Sequence, residues 1–116
     1  MSTSDAYVQF VATPSFESSA KKVLTEEDRR QLELTLVANP RLGQVIERTG
    51  GLRKVRFARP SRREGKSGGT RVIYYFVQRL GRIYLIEVYP KSVKDDLTRA
   101  EENALRALAR ILEEEE

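Results

Sequence analysis

The chain has no cysteine and no histidine among its 116 residues. Without thiols there are no disulfides and no thiolate metal sites. Without imidazole as well, the usual zinc and haem ligand sets and every nucleophile–imidazole pair are excluded. Any chemistry must come from Lys, Arg, Tyr, Ser, Thr, carboxylates or backbone groups, and neither a metal nor a cofactor is expected. Long apolar runs are missing too: none approaches the ~20 residues that a bilayer span requires. The first residues lack the basic-then-apolar pattern of an export signal, so the expected location is the cytoplasm, with no membrane partner. The fractions of hydrophobic (40%) and charged (33%) residues suit one globular domain spanning residues 1–116.

Positive charge is plentiful and unevenly placed. Segment 41–82 holds ten Arg and two Lys against Glu47 and Glu64, a net +10, whereas the whole chain carries only +4. A basic middle between acidic flanks predicts one surface that meets an anionic partner. Its centre runs from Gly50 to Arg71. A basic strand with Arg53, Lys54 and Arg56 enters a Gly/Ser-rich loop containing Arg59, Arg62, Arg63 and Lys66, and Arg71 opens the next strand.

Around that centre the pattern predicts an α+β domain. Tyr7–Ala12 is β-prone, and Phe16–Lys22 is a short helix after Pro14. Thr25 with Asp28 resembles a capping box opening a helix whose inner face holds Leu32, Leu36 and Val37, widened by Leu34. Asn39-Pro40 ends it. Val45 and Ile46 are expected to pack inward, and Gly50-Gly51 to permit a sharp turn. Over Leu52–Ala58, alternation places Lys54 and Arg56 on one face, with Arg53, Val55 and Phe57 on the other. Arg71–Gln78 and Ile83–Tyr89 are strands buried on most of both faces, joined by a hairpin at Arg79–Arg82. Thr98 and Glu101 form a second capping box. The helix it opens is lined by Leu105, Leu108 and Leu112 with Ala104, Ala107 and Ile111, and carries a Glu102–Arg106 pair. The expected fold is a small, mostly antiparallel sheet with a three-strand C-terminal meander, helices on one face and a C-terminal helix.

These residues suit metal-free cleavage of an RNA phosphodiester. The ribose 2′-hydroxyl attacks its own phosphorus, so the protein need only hold the phosphate and move two protons. Arg matches two phosphate oxygens with its planar fork. Crowding by other cations favours a neutral amine, which makes Lys54, beside Arg56 and Arg71, the candidate base. Tyr74, Tyr75 and Phe76 read as core aromatics, and Lys66 is no P-loop lysine because its loop precedes a strand. Binding of RNA, DNA or an acidic partner without chemistry remains open on the same residues.

The strings GGLRKVR, GKSGGTRVIYYF and YPKSVKDDLT, in that order and after NPRLGQVIERTGG, resemble the RelE/ParE superfamily and its HigB-type toxins. The likeness runs from about Leu32 to Leu112. It implies a RelE-like fold and a toxin of a type II toxin–antitoxin pair that cuts mRNA on the translating ribosome. It implies three kinds of partner: a HigA-like antitoxin, ribosomal RNA and mRNA. It places catalytic roles on Lys54, Arg56, Arg71 and Lys94, with Lys91 nearby, and matches Lys66 to a basic loop position; Arg53, Arg59, Lys66, Tyr89 and Lys91 are the residues expected to bind RNA. RelE carries a Tyr shortly after its last basic residue, where this chain has Leu97 and Thr98. The base role therefore falls to Lys54, and Tyr89 becomes the candidate for stacking on a base. A ParE-like inhibitor of gyrase and a non-catalytic RNA-binding module are the rival readings.

Overall fold

Two reciprocal capping boxes set the helices. In the computed structural model, which describes residues 8–65, 68–94 and 96–115, the Thr25 hydroxyl accepts the Asp28 N–H and Asp28 accepts the Thr25 N–H, both at 3.0 Å. Thr98 and Glu101 repeat the arrangement at 3.1 and 2.8 Å. Each pair satisfies N–H groups that a helix start leaves without intrahelical partners. In chain order the elements are β1 (Gln9–Ala12), α1 (Pro14–Val23), α2 (Glu26–Ala38), β2 (Gln44–Val45), β3 (Arg53–Phe57), β4 (Thr70–Val77), β5 (Arg82–Pro90) and α3 (Arg99–Glu113). Single 3₁₀ turns lie at Pro60–Arg62 and Gln78–Leu80. The second of these tightens the expected hairpin, closing on Gly81 at φ +60°. Tyr7 lies outside the described residues.

The five strands run in the order β1-β5-β4-β3-β2. Only the β1–β5 pair is parallel, so β3, β4 and β5 form the expected antiparallel meander. The added strand is β2, a two-residue edge beside β3.

Core residues divide by sheet face. Val55, Phe57, Val72, Tyr74, Ile83, Leu85 and Val88 pack with Phe16 and Ala20 of α1 and with Leu32 and Leu36 of α2. Ile73, Tyr75, Val77, Tyr84 and Ile86 pack with Leu105, Ala109 and Leu112 of α3. The two early helices thus share one face, and the C-terminal helix covers the other. That second layer is why β4 is buried along nearly its whole length. Tyr74 and Tyr75, on opposite faces, are both core residues, as expected.

Several side chains sit differently from the helical and strand patterns. Leu34 (56% exposed) and Val37 (39%) face outward on α2, because the layer needs only the Leu32–Leu36 stripe. Val45 on edge strand β2 is 53% exposed, whereas Ile46 packs against the α3 side. On α3, Ala104, Ala107 and Ile111 are exposed, and the buried stripe is Leu105, Ala109 and Leu112. Glu102 pairs with Arg48 and Arg99 rather than with Arg106.

Candidate functional site: a cationic face beside the C-terminal helix

The site follows from strand register. Arg56 of β3 lies opposite Arg71 of β4, and Lys54 lies opposite Ile73. Directly paired residues project to the same face, so Lys54, Arg56 and Arg71 share one. It is the face that α3 covers further along the sheet. Tyr89 of β5 is the other cross-strand neighbour of Arg71 and joins the same face. A register shift between Ile73 and Tyr74 then pairs Ile73 with Glu87 and Tyr74 with Leu85. The extra residue this gives β5 lets Ile86 serve the α3 core while Glu87 stays beside the cations.

The four proposed catalytic residues differ in surroundings. Arg56 is exposed. Arg71 is only 6% exposed, and its Nη1 donates to the carbonyls of Gly68 (3.0 Å) and Thr70 (3.2 Å). Lys54 is half-buried and borders two clefts. One, of about 340 Å³, opens over Leu42, Gly43 and Arg56. The other, of about 380 Å³, runs toward Asp96, Leu97 and Glu102 at the start of α3. Lys94 comes from the turn after β5. Its Nζ donates to Glu101 at 2.7 Å, lies 3.7 Å from Glu87, and sits 4.9 Å from the centre of the Tyr89 ring. Burial works against the Lys94 charge, but Glu101 and Glu87 outweigh it and hold the ammonium above its ordinary value. Glu101 is held below the usual carboxylate range by the bond from Lys94 and by the capping N–H of Thr98. The helix cap and the site cation therefore share one carboxylate.

The basic loop is tied down at both ends. Arg59 is 7% exposed and spends its guanidinium inside the protein, on Glu64 (Nη2, 2.7 Å; Nε, 3.1 Å) and on the Val23 carbonyl (2.8 Å). Glu64 also accepts the Arg59 N–H at 2.8 Å. Asp28, fully buried, accepts the Ser61 hydroxyl at 2.6 Å and the Ser61 N–H at 3.0 Å besides capping α2. At the far end Gly68, with φ +70°, lies so close to β3 that a Cβ would fall 2.8 Å from the Phe57 backbone. Only glycine permits this approach, which delivers the Gly68 carbonyl to Arg71.

Three residues expected to bind RNA make contacts inside the protein. Arg59 acts as an internal strut, each of its three guanidinium nitrogens donating to Glu64 or the Val23 carbonyl. Arg53 points to the α1–α2 side of the sheet and donates to the carbonyls of Arg41 (3.2 Å) and Gly43 (2.8 Å). Tyr89 is 6% exposed, with Lys94 over its ring. Lys91 is exposed just past β5, and its N–H donates to the Gly69 carbonyl at 2.9 Å, which puts it beside the loop. Lys66 lies outside the described residues. Sequence reasoning missed Glu87 and Glu101 as partners of Lys94. The Thr98–Glu101 cap was visible, but nothing local indicates that Lys94 folds back onto it. Among the described residues no group of His, Cys, Asp and Glu could hold a metal ion, and no helix is long and apolar enough to cross a membrane.

Residues 15–116 match the family described as the RelE toxin of the RelE/RelB toxin–antitoxin system. Solved structures of the E. coli toxin RelE share the fold. An arginine-to-alanine double mutant in the free state is 18% identical, with 90% of this chain and 97% of that chain covered and a TM-score of 0.55. The isolated toxin is 16% identical, with 88% and 99% covered and a TM-score of 0.53. The double mutant in complex with a peptide of the antitoxin RelB is 18% identical, with 78% and 98% covered and a TM-score of 0.52. With the match spanning nearly the whole chain, this protein belongs to the RelE toxin family.

Proposed function

We propose that the chain is a ribosome-dependent mRNA endonuclease that arrests translation and is held in check by a cognate antitoxin. The observation that carries this reading is the convergence of Arg56, Arg71, Lys54 and Lys94, from three separate parts of the chain, on one sheet face. Arg56 and Arg71 would hold the non-bridging oxygens of the scissile phosphate. Lys54 would take the proton from the 2′-hydroxyl as its oxygen attacks phosphorus. The bond to the 5′-oxygen then breaks, and Lys94, exchanging Glu101 for the leaving oxygen, would give it the proton that completes the 5′-hydroxyl. The products are a 2′,3′-cyclic phosphate and a 5′-hydroxyl end. Fixed cations in a partly desolvated site stabilise developing charge better than solvent does.

Lys91 flanks this face and, together with Lys66 on sequence grounds, would meet ribosomal RNA as a phosphate contact. The HigB-like branch and a HigA-like antitoxin belong to the same proposal, as does cytoplasmic action. The test is cleavage of a defined mRNA on programmed ribosomes, with the ends identified chemically. Discrete cuts carrying cyclic phosphate support the reading. Intact mRNA with inhibited gyrase would replace it by the ParE-like one, and salt-sensitive RNA binding with neither activity by the non-catalytic one.

A further inference from the structure

Among the described residues, one buried side-chain polar atom lacks a hydrogen-bond partner: the hydroxyl of Tyr89. Leaving a buried phenol unsatisfied is destabilising, so such groups are rare. Three other tyrosines of this chain avoid it. Tyr74 donates to the Pro40 carbonyl and accepts the Gly43 N–H, Tyr75 donates to Glu113, and Tyr84 accepts from Arg82. The exception stands on the cationic face, beside Arg71 and Lys94.

The surroundings define which partner would suit the hydroxyl. Tyr89 is cross-strand neighbour to Arg71, and Lys94 lies over its ring. Burial pushes the phenol up from its ordinary value, and the opposing pull of Lys94 and Arg71 is smaller. The hydroxyl therefore keeps its proton near neutral pH, and what it lacks is an acceptor. Two flanking cations favour an acceptor that carries negative charge, although Glu87 and Glu101 also border Lys94 and limit the excess.

We propose that the Tyr89 hydroxyl, uncovered as Lys94 turns from its ring to the leaving oxygen, is a catalytic hydrogen-bond donor to a non-bridging oxygen of the RNA phosphodiester that Arg71 holds. The identity of the anion rests on the nuclease reading above. The donor role needs only a phosphate. A donor fixed in a desolvated site strengthens as charge builds on the phosphoryl oxygens, which is where binding becomes rate.

Tyr89→Phe removes one oxygen and keeps the ring. Three readouts are expected. Its melting temperature equals or exceeds that of the unaltered protein by ~2–5 °C, since an unsatisfied hydroxyl is lost. Cleavage on programmed ribosomes falls roughly 10²-fold, in kcat more than in KM. Inorganic phosphate raises the melting temperature of the unaltered protein more than that of the variant. Tyr75→Phe is the control: it loses a satisfied bond to Glu113, so it melts lower and cuts normally. Full cleavage by folded Tyr89→Phe, equal phosphate shifts, or a lowered melting temperature would each overturn the proposal. If the unaltered protein cuts no mRNA, the nuclease reading fails separately. The phosphate comparison then decides on the donor: a larger shift in the unaltered protein supports it, and equal shifts overturn it.

Discussion

Arg56 and Arg71 stand directly opposite one another across β3 and β4, yet Arg56 is exposed while Arg71 is 6% exposed and hydrogen-bonded to the loop carbonyls of Gly68 and Thr70. Two like charges on adjacent strands repel. Water screens Arg56, and the Gly68 and Thr70 carbonyls are among the groups that accept from Arg71. A phosphate between them would accept from both guanidinium groups. Arg56→Ala should leave the melting temperature within about 2 °C, as surface substitutions do. Arg71→Ala should melt lower, because its two carbonyl contacts go with it. Both should reduce cleavage, by roughly 10²–10³-fold for Arg71. Thermal melts and single-turnover cleavage assays check this.

Arg59 tests the distinction between loop strut and RNA contact. Its buried partner Glu64 has a side chain only 12% exposed. Arg59→Ala strands that carboxylate, which should cost about 3–5 kcal/mol. Arg62→Ala, at an exposed position of the same loop, should be near neutral. Denaturant midpoints separate them: equal midpoints would return Arg59 to the surface.

Acid should loosen the loop from both ends. Burial tends to raise the Asp28 carboxyl, but hydrogen bonds from Ser61 and Thr25 outweigh it and leave the group below its ordinary value. Glu64 behaves alike, burial being outweighed by Arg59 and the Gly69 N–H. For a carboxylate depressed in the folded state, the unfolded chain binds protons first as pH falls. This stabilisation is therefore complete above the unfolded pKa values of ~4 and lost progressively below them. Asp28→Asn should flatten the acid limb of a stability–pH curve, while an unchanged limb would show that Asp28 carries none of it.

Lys94 and Thr98 separate cap from chemistry. Thr98→Ala removes the capping hydroxyl and should cost ~1 kcal/mol. It leaves the Lys94–Glu101 contact in place, so cleavage per folded molecule should hold. Lys94→Met should do the reverse, melting normally but cutting roughly 10²-fold more slowly. A Lys94→Met protein of full activity would remove this residue from the site.

Local chemistry made much of this legible. The capping boxes at Thr25 and Thr98 give both long helices their starts, and period-two alternation places Lys54 and Arg56 together. Which sheet face receives α3 was not legible. The Leu105–Leu112 stripe shows which side of the helix is buried but not what buries it. Arg59 reads as a surface cation because its partners are a glutamate five residues on and a carbonyl 36 residues back. Tyr89 reads as a stacking ring, since sequence carries no sign that Lys94 covers it. These are long-range consequences of register, and the Ile86–Glu87 irregularity that shapes them has no signature in composition.

The most direct test of the central claim is end-mapping of a defined mRNA on programmed ribosomes, comparing the unaltered protein with folded Arg71→Ala. Discrete cuts ending in 2′,3′-cyclic phosphate are expected from the unaltered protein and none from the variant. Identical cuts by both proteins, or intact mRNA with the unaltered one, would contradict the claim.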